Sequence, residues 1–368
     1  MKQEINTKVV KIGGFSHVSP VYIGGNNSIV IQTMWKDRLN PEDLKNAASK
    51  IELLGAMGCG ILRFAVPDIT SAEVLGHLSE MVSMPLVADI HFDYKIALHC
   101  LNFPIAKIRI NPGNIGSKEK VRILLEKAAA RNIPIRIGVN AGSLPLDLRK
   151  RVEEGMETSE ALAEAAQREL SIFDEFGFSS ILVSMKASGI ADTIKANRIL
   201  SKRTAMPIHA GVTEAGPLTA GVTRSTAALL TLLSEGIGDT IRVSLSDTME
   251  NEIIAGREII KAAAELMPEN ARFRNKGINI VSCPRCGRHG FDTHGFTSRW
   301  IERFYTMDKD ITVAIMGCEV NGPIEAKNAG LGITGAGDKV LIFKHGKVIK
   351  TITPDEADRI FGEELDKL

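Results

Sequence analysis

No apolar run in these 368 residues approaches the roughly 18 needed to cross a membrane, and the opening "MKQEINTKVV" lacks the hydrophobic stretch of an export signal. The chain therefore reads as cytoplasmic, with no membrane role. Charge of one sign is missing too: 45 Lys and Arg stand against 44 Asp and Glu. No global field draws the chain to nucleic acid, so any anion site must be local. Five cysteines, an odd number without an export signal, argue against a disulfide framework. Low-complexity tracts are absent, and internal repetition does not go beyond the spacing of the elements described next.

Those elements are short β-branched runs alternating with helical patterns from about residue 28 to 265. The runs are "SIVIQTM", "GILRFAV", "PLVADI", "AKIRIN", "PIRIGVN", "SSILVSM", "MPIHAGV" and "DTIRVSL". Between them lie stretches such as "NPEDLKNAASKIELLGAMG", with Asn40 as N-cap and Pro41 at the first helical position, and "SKEKVRILLEKAAARN". Eight βα units in about 240 residues fit a TIM (β/α)8 barrel, with a doubly wound sheet as the other reading. A chain of this length exceeds one ordinary core, and after residue 267 the pattern changes. Residues 1–267 read as the barrel. Residues 268–368, with Gly-rich loops and a hairpin "KVLIFKHGKVIKTI" turning at His345-Gly346, read as a smaller α+β domain.

In a barrel the C-terminal ends of the strands carry the chemistry. Those ends hold Arg63, then Asp89 and His91, Arg109 and Asn111, Arg136 and Asn140, Lys186, His209 with Glu214, and Arg242. Strands otherwise made of Ile, Val and Ala do not carry inward arginines without an anionic partner, because an unpaired buried guanidinium costs several kcal/mol. Four arginines and a lysine outnumber the two carboxylates, Asp89 and Glu214, that fall there. The surplus predicts a ligand with more than one negative charge, and guanidinium forks favour phosphate or diphosphate. Asp89 beside His91 makes an orienting or proton-carrying pair.

The C-x-x-C of "VSCPRCGRHGFD" presents Cys283 and Cys286, two soft thiols suited to zinc, an iron–sulfur cluster or a redox disulfide. One further cysteine follows, Cys318. With His289 and His294 within reach, zinc remains open on spacing alone. Cys59 and Cys100 sit in apolar helix-like surroundings and read as inert buried thiols. The "GAGD" at 335–338 lacks the strand-and-helix setting of a dinucleotide loop, so no nicotinamide site is read there.

The separated stretches "RFAVPD", "ADIHFDYKIAL", "KIRINPGNIG", "RIGVNAGSL", "SMKAS", "HAGVTEAG", "SCPRCGR" and "MGCEVNGPIEAKNAGLGI" resemble, over nearly the whole chain, the 4-hydroxy-3-methylbut-2-enyl diphosphate synthase family in its shorter two-domain bacterial form. The resemblance implies a [4Fe–4S] cluster held by Cys283, Cys286, Cys318 and Glu325. A carboxylate is a harder, more weakly held ligand for iron than a thiolate, which leaves one corner exchangeable. It implies an iron–sulfur oxidoreductase of the methylerythritol phosphate route to isoprenoids. The reaction is a two-electron reductive ring opening and dehydration of 2-C-methyl-D-erythritol 2,4-cyclodiphosphate, with flavodoxin or ferredoxin as electron donor.

By the same resemblance Arg63, Arg109, Arg136 and Lys186 bind phosphate, with Asn111, Asn140, Asp89 and His91 around the ring, while His209, Glu214 and Arg242 sit at matching strand ends. One departure from the family stands out: "QTMWKDRLN" puts Trp35 and Lys36 where a small polar run is usual. Two other readings compete, a phosphate-binding barrel carrying a structural zinc domain and a non-enzymatic iron–sulfur sensor. The helix after the eighth strand should end on the face away from the active site, and a linker of about ten residues spans at most roughly 35 Å. A homodimer in which each cluster domain caps the partner's barrel is therefore expected, as the resemblance also implies.

Overall fold

The computed structural model of the chain describes residues 7–273 and 277–368, without the side chains of Pro112, Val320, Asn321 and Glu325. It divides into two compact units, Met1–Asn275 and Lys276–Leu368. The first opens with an antiparallel hairpin, β1 (Val10–Ile12) and β2 (Val21–Ile23), which the sequence pattern did not announce. Eight parallel strands follow: β3 (Val30–Met34), β4 (Ile61–Ala65), β5 (Leu86–Asp89), β6 (Lys107–Ile110), β7 (Ile135–Asn140), β8 (Ile181–Lys186), β9 (His209–Ala210) and β10 (Thr240–Ile241). Their order is β8-β7-β6-β5-β4-β3-β10-β9, and a parallel bridge between Val183 and Ile208 brings the two ends of that series together. The sheet closes, so the fold is the barrel and not the doubly wound alternative. All eight strands fall on the apolar runs of the sequence, β8 extending one residue further to Lys186.

The helices are α1 (Leu44–Ala56), α2 (Ile69–Met81), α3 (Tyr94–Cys100), α4 (Pro112–Ile115), α5 (Lys118–Ala130), α6 (Leu146–Glu153), α7 (Thr158–Glu175), α8 (Ile190–Ser201), α9 (Leu218–Ser234) and α10 (Met249–Leu266). Asn40 and Pro41 do start a helical segment, in the form of a 3-10 turn over Pro41–Asp43 that leads into α1, with the Asn40 side chain accepting from the Glu42 N–H at 3.1 Å. Strands buried on both faces explain why the runs show no polar alternation.

At the N-terminal end of the barrel, Val10, Ile12, Val18 and Ile23 of the hairpin region pack against Ile61, Val87, Ala106 and Leu182, which stand at or near the starts of four strands. The hairpin is a plug. Beyond α10 the chain stays with this unit through a 3-10 turn, Ala271–Phe273. There Arg272 donates to Asp239 at 2.7 Å and to the Gly238 carbonyl at 3.0 Å, and both groups of the ion pair are buried. Cys59 and Cys100 are buried, and burial pushes each thiol up to about 12, as expected of inert core cysteines.

The second unit is a five-stranded sheet, β11 (Asn279–Ser282), β12 (Thr312–Met316), β13 (Leu331–Ala336), β14 (Lys339–Lys344) and β15 (Lys347–Ile352), in sequence order. The first three are parallel and the last two antiparallel, so the hairpin at His345-Gly346 is present, with φ of 48° and 74° at the two turn residues. Helices α11 (Thr293–Thr306) and α12 (Ala357–Asp366) supply Phe296, Trp300, Phe304, Ile360, Phe361 and Leu365 to a core with Val313, Ile315 and Ile333. The alternate residues Ala314 and Met316 turn to the other face of the sheet, where Cys283 packs. No described helix is long and apolar enough to cross a membrane.

Candidate functional site

At the C-terminal ends of the barrel strands, a cavity of about 90 Å³ is lined by Arg63, Asp89, His91, Arg109, Arg136, Asn140, Lys186 and Arg242, together with Ser184, Thr213 and Ser244. Eight side chains singled out from the sequence thus meet at one mouth. Asn111 is buried beside it, and His209 lies wholly buried beneath Lys186, with His209 Nε2 3.2 Å from Lys186 Nζ. Glu214 is different: it is exposed, on a left-handed backbone with φ of 52°, and does not line the cavity.

Asp89 is the anionic centre of one side. It accepts from Arg109 Nη1 at 3.0 Å and stands 3.6 Å from Arg63 Nε. Burial pushes its carboxyl up, but the two guanidinium groups outweigh burial and leave it below the usual carboxylate range. His91 Nε2 lies 3.0 Å from the same Arg109 Nη1, so the ring accepts there and carries its proton on Nδ1. Arg109 also reaches the Gly138 carbonyl at 3.3 Å, and a Cβ at Gly138 would collide with its guanidinium; glycine is what leaves room for this arginine.

Arg136 has no such support. It is 1% exposed, donates to Ser184 Oγ at 2.6 Å, and leaves Nε and Nη2 buried without a hydrogen-bond partner among the described residues. Burial, then repulsion from Arg63 and Arg109, holds its guanidinium well below its usual value. Burial first, and then Arg242 and Arg136, does the same to Lys186, and His209 beneath it is driven neutral by burial and by Lys186. Neutral His209 accepts from Lys186 through Nε2 and turns Nδ1 towards Thr240 Oγ1 at 3.4 Å.

Sequence reasoning missed several participants. Glu252, in the first turn of α10, is 1% exposed and accepts both Nε and Nη2 of Arg242 at 3.2 Å. The second buried carboxylate of the mouth is therefore Glu252, not Glu214. Lys107, fully buried, donates to Gln32 at 3.2 Å, and burial followed by Arg136 and Arg63 holds its ammonium well below the usual lysine value. Met34 Sδ receives Arg63 at 2.7 and 3.2 Å. Glu169 of α7, buried against Gly113, has one oxygen without a partner, and burial pushes it up to about 7. Trp35 stacks on Phe64 with ring centres 5.5 Å apart, and Lys36 reaches across to the Leu245 carbonyl at 2.8 Å. Counting Lys107 below it, six basic side chains stand in and around the mouth against the two buried carboxylates Asp89 and Glu252.

In the second unit, β11 and β12 run parallel with Ser282 opposite Ile315, so Cys283 and Cys318 follow adjacent strands at the same end of the sheet. The Cys283 N–H donates to the Ile315 carbonyl at 2.9 Å. Gly317 is hemmed in: a Cβ there would lie 3.7 Å from Cys283 Sγ and 3.3 Å from His289 Cβ. The loop carrying Cys286 folds onto the same point, with the Gly290 N–H donating to the Gly317 carbonyl at 2.7 Å and the His289 N–H to the Cys286 carbonyl at 3.1 Å. Gly322 N–H then bonds the Cys318 carbonyl at 3.0 Å, starting a π-helical turn, Val320–Glu325, that ends on the fourth candidate ligand. The side chain of Glu325 lies outside the described residues.

Among the described residues no three His, Cys, Asp or Glu side chains stand close enough to share one metal ion. A cubane does not ask for that, since each of its protein ligands holds a different iron. Three soft sulfur donors carried at the same end of the sheet fit such a cluster in kind.

Comparison with known proteins covers both units. Residues 13–257 match the family model described as the GcpE TIM-barrel domain, and residues 279–367 match the GcpE protein C-terminal domain. A curated protein of Treponema denticola named 4-hydroxy-3-methylbut-2-en-1-yl diphosphate synthase (flavodoxin) is 47% identical over 388 residues, covering 98% of each chain. Proteins of the same name from Treponema pallidum and Thermodesulfovibrio yellowstonii are 47% and 42% identical, covering 97% and 98% of this chain and 91% and 98% of their own.

Proposed function

Since this chain belongs to the GcpE family of 4-hydroxy-3-methylbut-2-en-1-yl diphosphate synthases, we propose that its barrel mouth and its three-cysteine end are the two halves of that reaction. The chain is an oxidoreductase of the methylerythritol phosphate pathway. It opens the ring of 2-C-methyl-D-erythritol 2,4-cyclodiphosphate reductively, with loss of water, to give 4-hydroxy-3-methylbut-2-enyl diphosphate. The observation that carries the assignment of the mouth is Arg136: a wholly buried guanidinium with two unsatisfied N–H groups, among cations in excess, is a site waiting for an oxyanion.

In this reading Arg136 and Lys186 take the diphosphate oxygens together with Arg63 and Arg109, which Asp89 holds in place. Neutral His209 keeps the Lys186 ammonium aimed at the ligand instead of competing with it for charge. Asn111 and Asn140 serve the ring hydroxyls, and His91 stands at the exposed edge of the Asp89–Arg109 pair, where a leaving hydroxyl can be met by a proton carrier. Glu214, exposed beyond β9, is proposed in a proton-carrying role. Cys283, Cys286, Cys318 and Glu325 hold a [4Fe–4S] cluster, which when bound supplies the two electrons one at a time. Flavodoxin or ferredoxin is the donor, in the cytoplasm.

Anaerobically purified protein is expected to be brown, with about four iron per chain, and to convert the cyclic diphosphate when dithionite supplies electrons. One zinc per chain and no turnover would overturn the assignment in favour of a structural-zinc barrel.

The dimer is part of the proposal. The Arg272–Asp239 pair fixes the chain at the N-terminal end of the barrel, and residues 274–278 are all that separate the 3-10 turn from β11. In this reading each cluster unit serves the partner's barrel mouth. Co-expressing an Arg109→Ala chain with a Cys318→Ser chain is therefore expected to restore about a quarter of wild-type activity, because half of randomly paired dimers are mixed and each has one intact composite site. A mixture as dead as either parent removes the shared site.

A further inference from the structure

Arg242 reaches the cavity from just beyond a strand of two residues, β10, which is too short to aim a long side chain by itself. Its aim comes from elsewhere. The carboxylate of Glu252 gathers five donors: Arg242 Nε and Nη2 at 3.2 Å, Thr33 Oγ1 at 2.5 Å, the Leu245 N–H at 3.0 Å, and Lys36 Nζ at 3.0 Å. Arg242 and Leu245 come from β10 and its loop, Thr33 and Lys36 from β3 and its loop, and the carboxylate from the start of α10. Lys36 also donates to the carbonyls of Leu245 and Asp247, so the β3 loop is lashed to the β10 loop.

We propose that Glu252 is a positioning residue of the mouth: it grips one edge of the Arg242 guanidinium as a fork, so that the other edge is presented to the anionic ligand already oriented. The proposal rests on the reading of the mouth as the diphosphate site. Of the Arg242 nitrogens, Nη1 is left out of the fork and stands 3.7 Å from the sulfur of Met34, which also receives Arg63. A weak acceptor of that kind steers the nitrogen without saturating it, which keeps it open for a phosphate oxygen. Fixing the fork in advance removes the entropy that a free arginine would lose on binding. The Trp35–Lys36 departure from the family's usual loop acquires a role here: Lys36 supplies the fifth donor, and Trp35, stacked on Phe64, anchors the loop that carries it.

The test is a double-mutant cycle read by calorimetry with inorganic pyrophosphate as the probe, on the full-length protein. Glu252→Gln keeps the shape and removes the charge, and Arg242→Ala removes the fork. Each is expected to weaken pyrophosphate about 10- to 100-fold, the range for losing hydrogen bonds to a charged group. The double variant should bind no more weakly than Arg242→Ala alone, because Glu252 acts only through Arg242. A double variant whose loss is the product of the two single losses, or a Glu252→Gln chain that binds like wild type, overturns the proposal while leaving the diphosphate site standing. If Arg242→Ala binds like wild type, the positioning proposal falls, while the diphosphate reading stands or falls with Arg136→Met.

Should Glu252→Gln fail to fold by circular dichroism, Lys36→Met asks the same question from a side chain that is 28% exposed. It is expected to weaken pyrophosphate about threefold in the presence of Arg242 and not at all in its absence. Equal weakening in both backgrounds counts against the proposal. In turnover, Glu252→Gln should raise KM more than it lowers kcat, a split that a general loss of folded protein would not produce.

Discussion

A Cys318→Ser chain is expected to lose turnover entirely and to keep less than about a quarter of its iron, while its barrel binds pyrophosphate as the wild type does. The reason lies in the sheet register. Cys283 and Cys318 follow β11 and β12, neighbouring parallel strands, and the Cys286 loop is pinned to the Gly317 carbonyl between them. Cys318 is thus the one proposed thiolate outside the C-x-x-C loop, and without it the remaining thiolates come from a single four-residue segment. Serine offers a hard hydroxyl that does not ionise near neutral pH and is a poor ligand for iron beside sulfide. The barrel has its own core and should not notice the change. Iron content and an electron paramagnetic resonance signal after dithionite reduction check the first part, and pyrophosphate calorimetry checks the second. Full iron with full activity would remove Cys318 from the ligand set.

The second large effect runs in two directions at once. Arg136→Met is expected to lower kcat/KM at least 100-fold and to raise the melting temperature of the ligand-free protein by about 2–8 °C. The buried guanidinium makes one hydrogen bond, to Ser184, and leaves two nitrogens unsatisfied in a cluster of like charges. Replacing such a group with an apolar side chain of similar length removes a desolvation cost and a repulsion, worth about 1–3 kcal/mol together. Stability is given up here for binding. Melting curves should also converge when pyrophosphate is added, because the wild type gains from the ligand what the variant gains from the mutation. A variant that melts lower and turns over normally would make Arg136 a structural rim residue.

Much of this was legible in the chain before any coordinates. The eight barrel strands stand out because both faces of each are buried, so their runs are mainly apolar, and Arg63, Asp89, Arg109 and Arg136 stand out against them. The same rule hid the hairpin: three-residue strands carry too little pattern to separate from loop, although Ile12 and Ile23 are wholly buried. Glu252 was invisible for another reason. An acidic residue in the first turn of a helix reads as a partner for the helix dipole, and only the closed barrel brings it under Arg242, ten positions away in sequence. Glu214, in a motif and at a strand end, looked the stronger carboxylate, yet its left-handed turn carries it outward into solvent. Lys107 escaped because it begins its strand, two residues before the arginine that drew the eye. In the second unit the hairpin showed itself through His345-Gly346, whereas the parallel strands β11 to β13 lacked a turn signal of that kind.

The plug at the N-terminal end of the barrel turns the site into a well with one opening. With Val10, Ile12, Val18 and Ile23 seated against the strand starts, the lower end is filled among the described residues, and the buried Arg136 lies deeper than the exposed His91. A ligand with a charged end and a carbon end then has a direction of travel. In the proposed reading the diphosphate leads on the way in and trails on the way out, so the carbon skeleton is held nearest the rim. Electrons delivered at the opening would then meet carbon before phosphate, and each product would back out before the next substrate starts down.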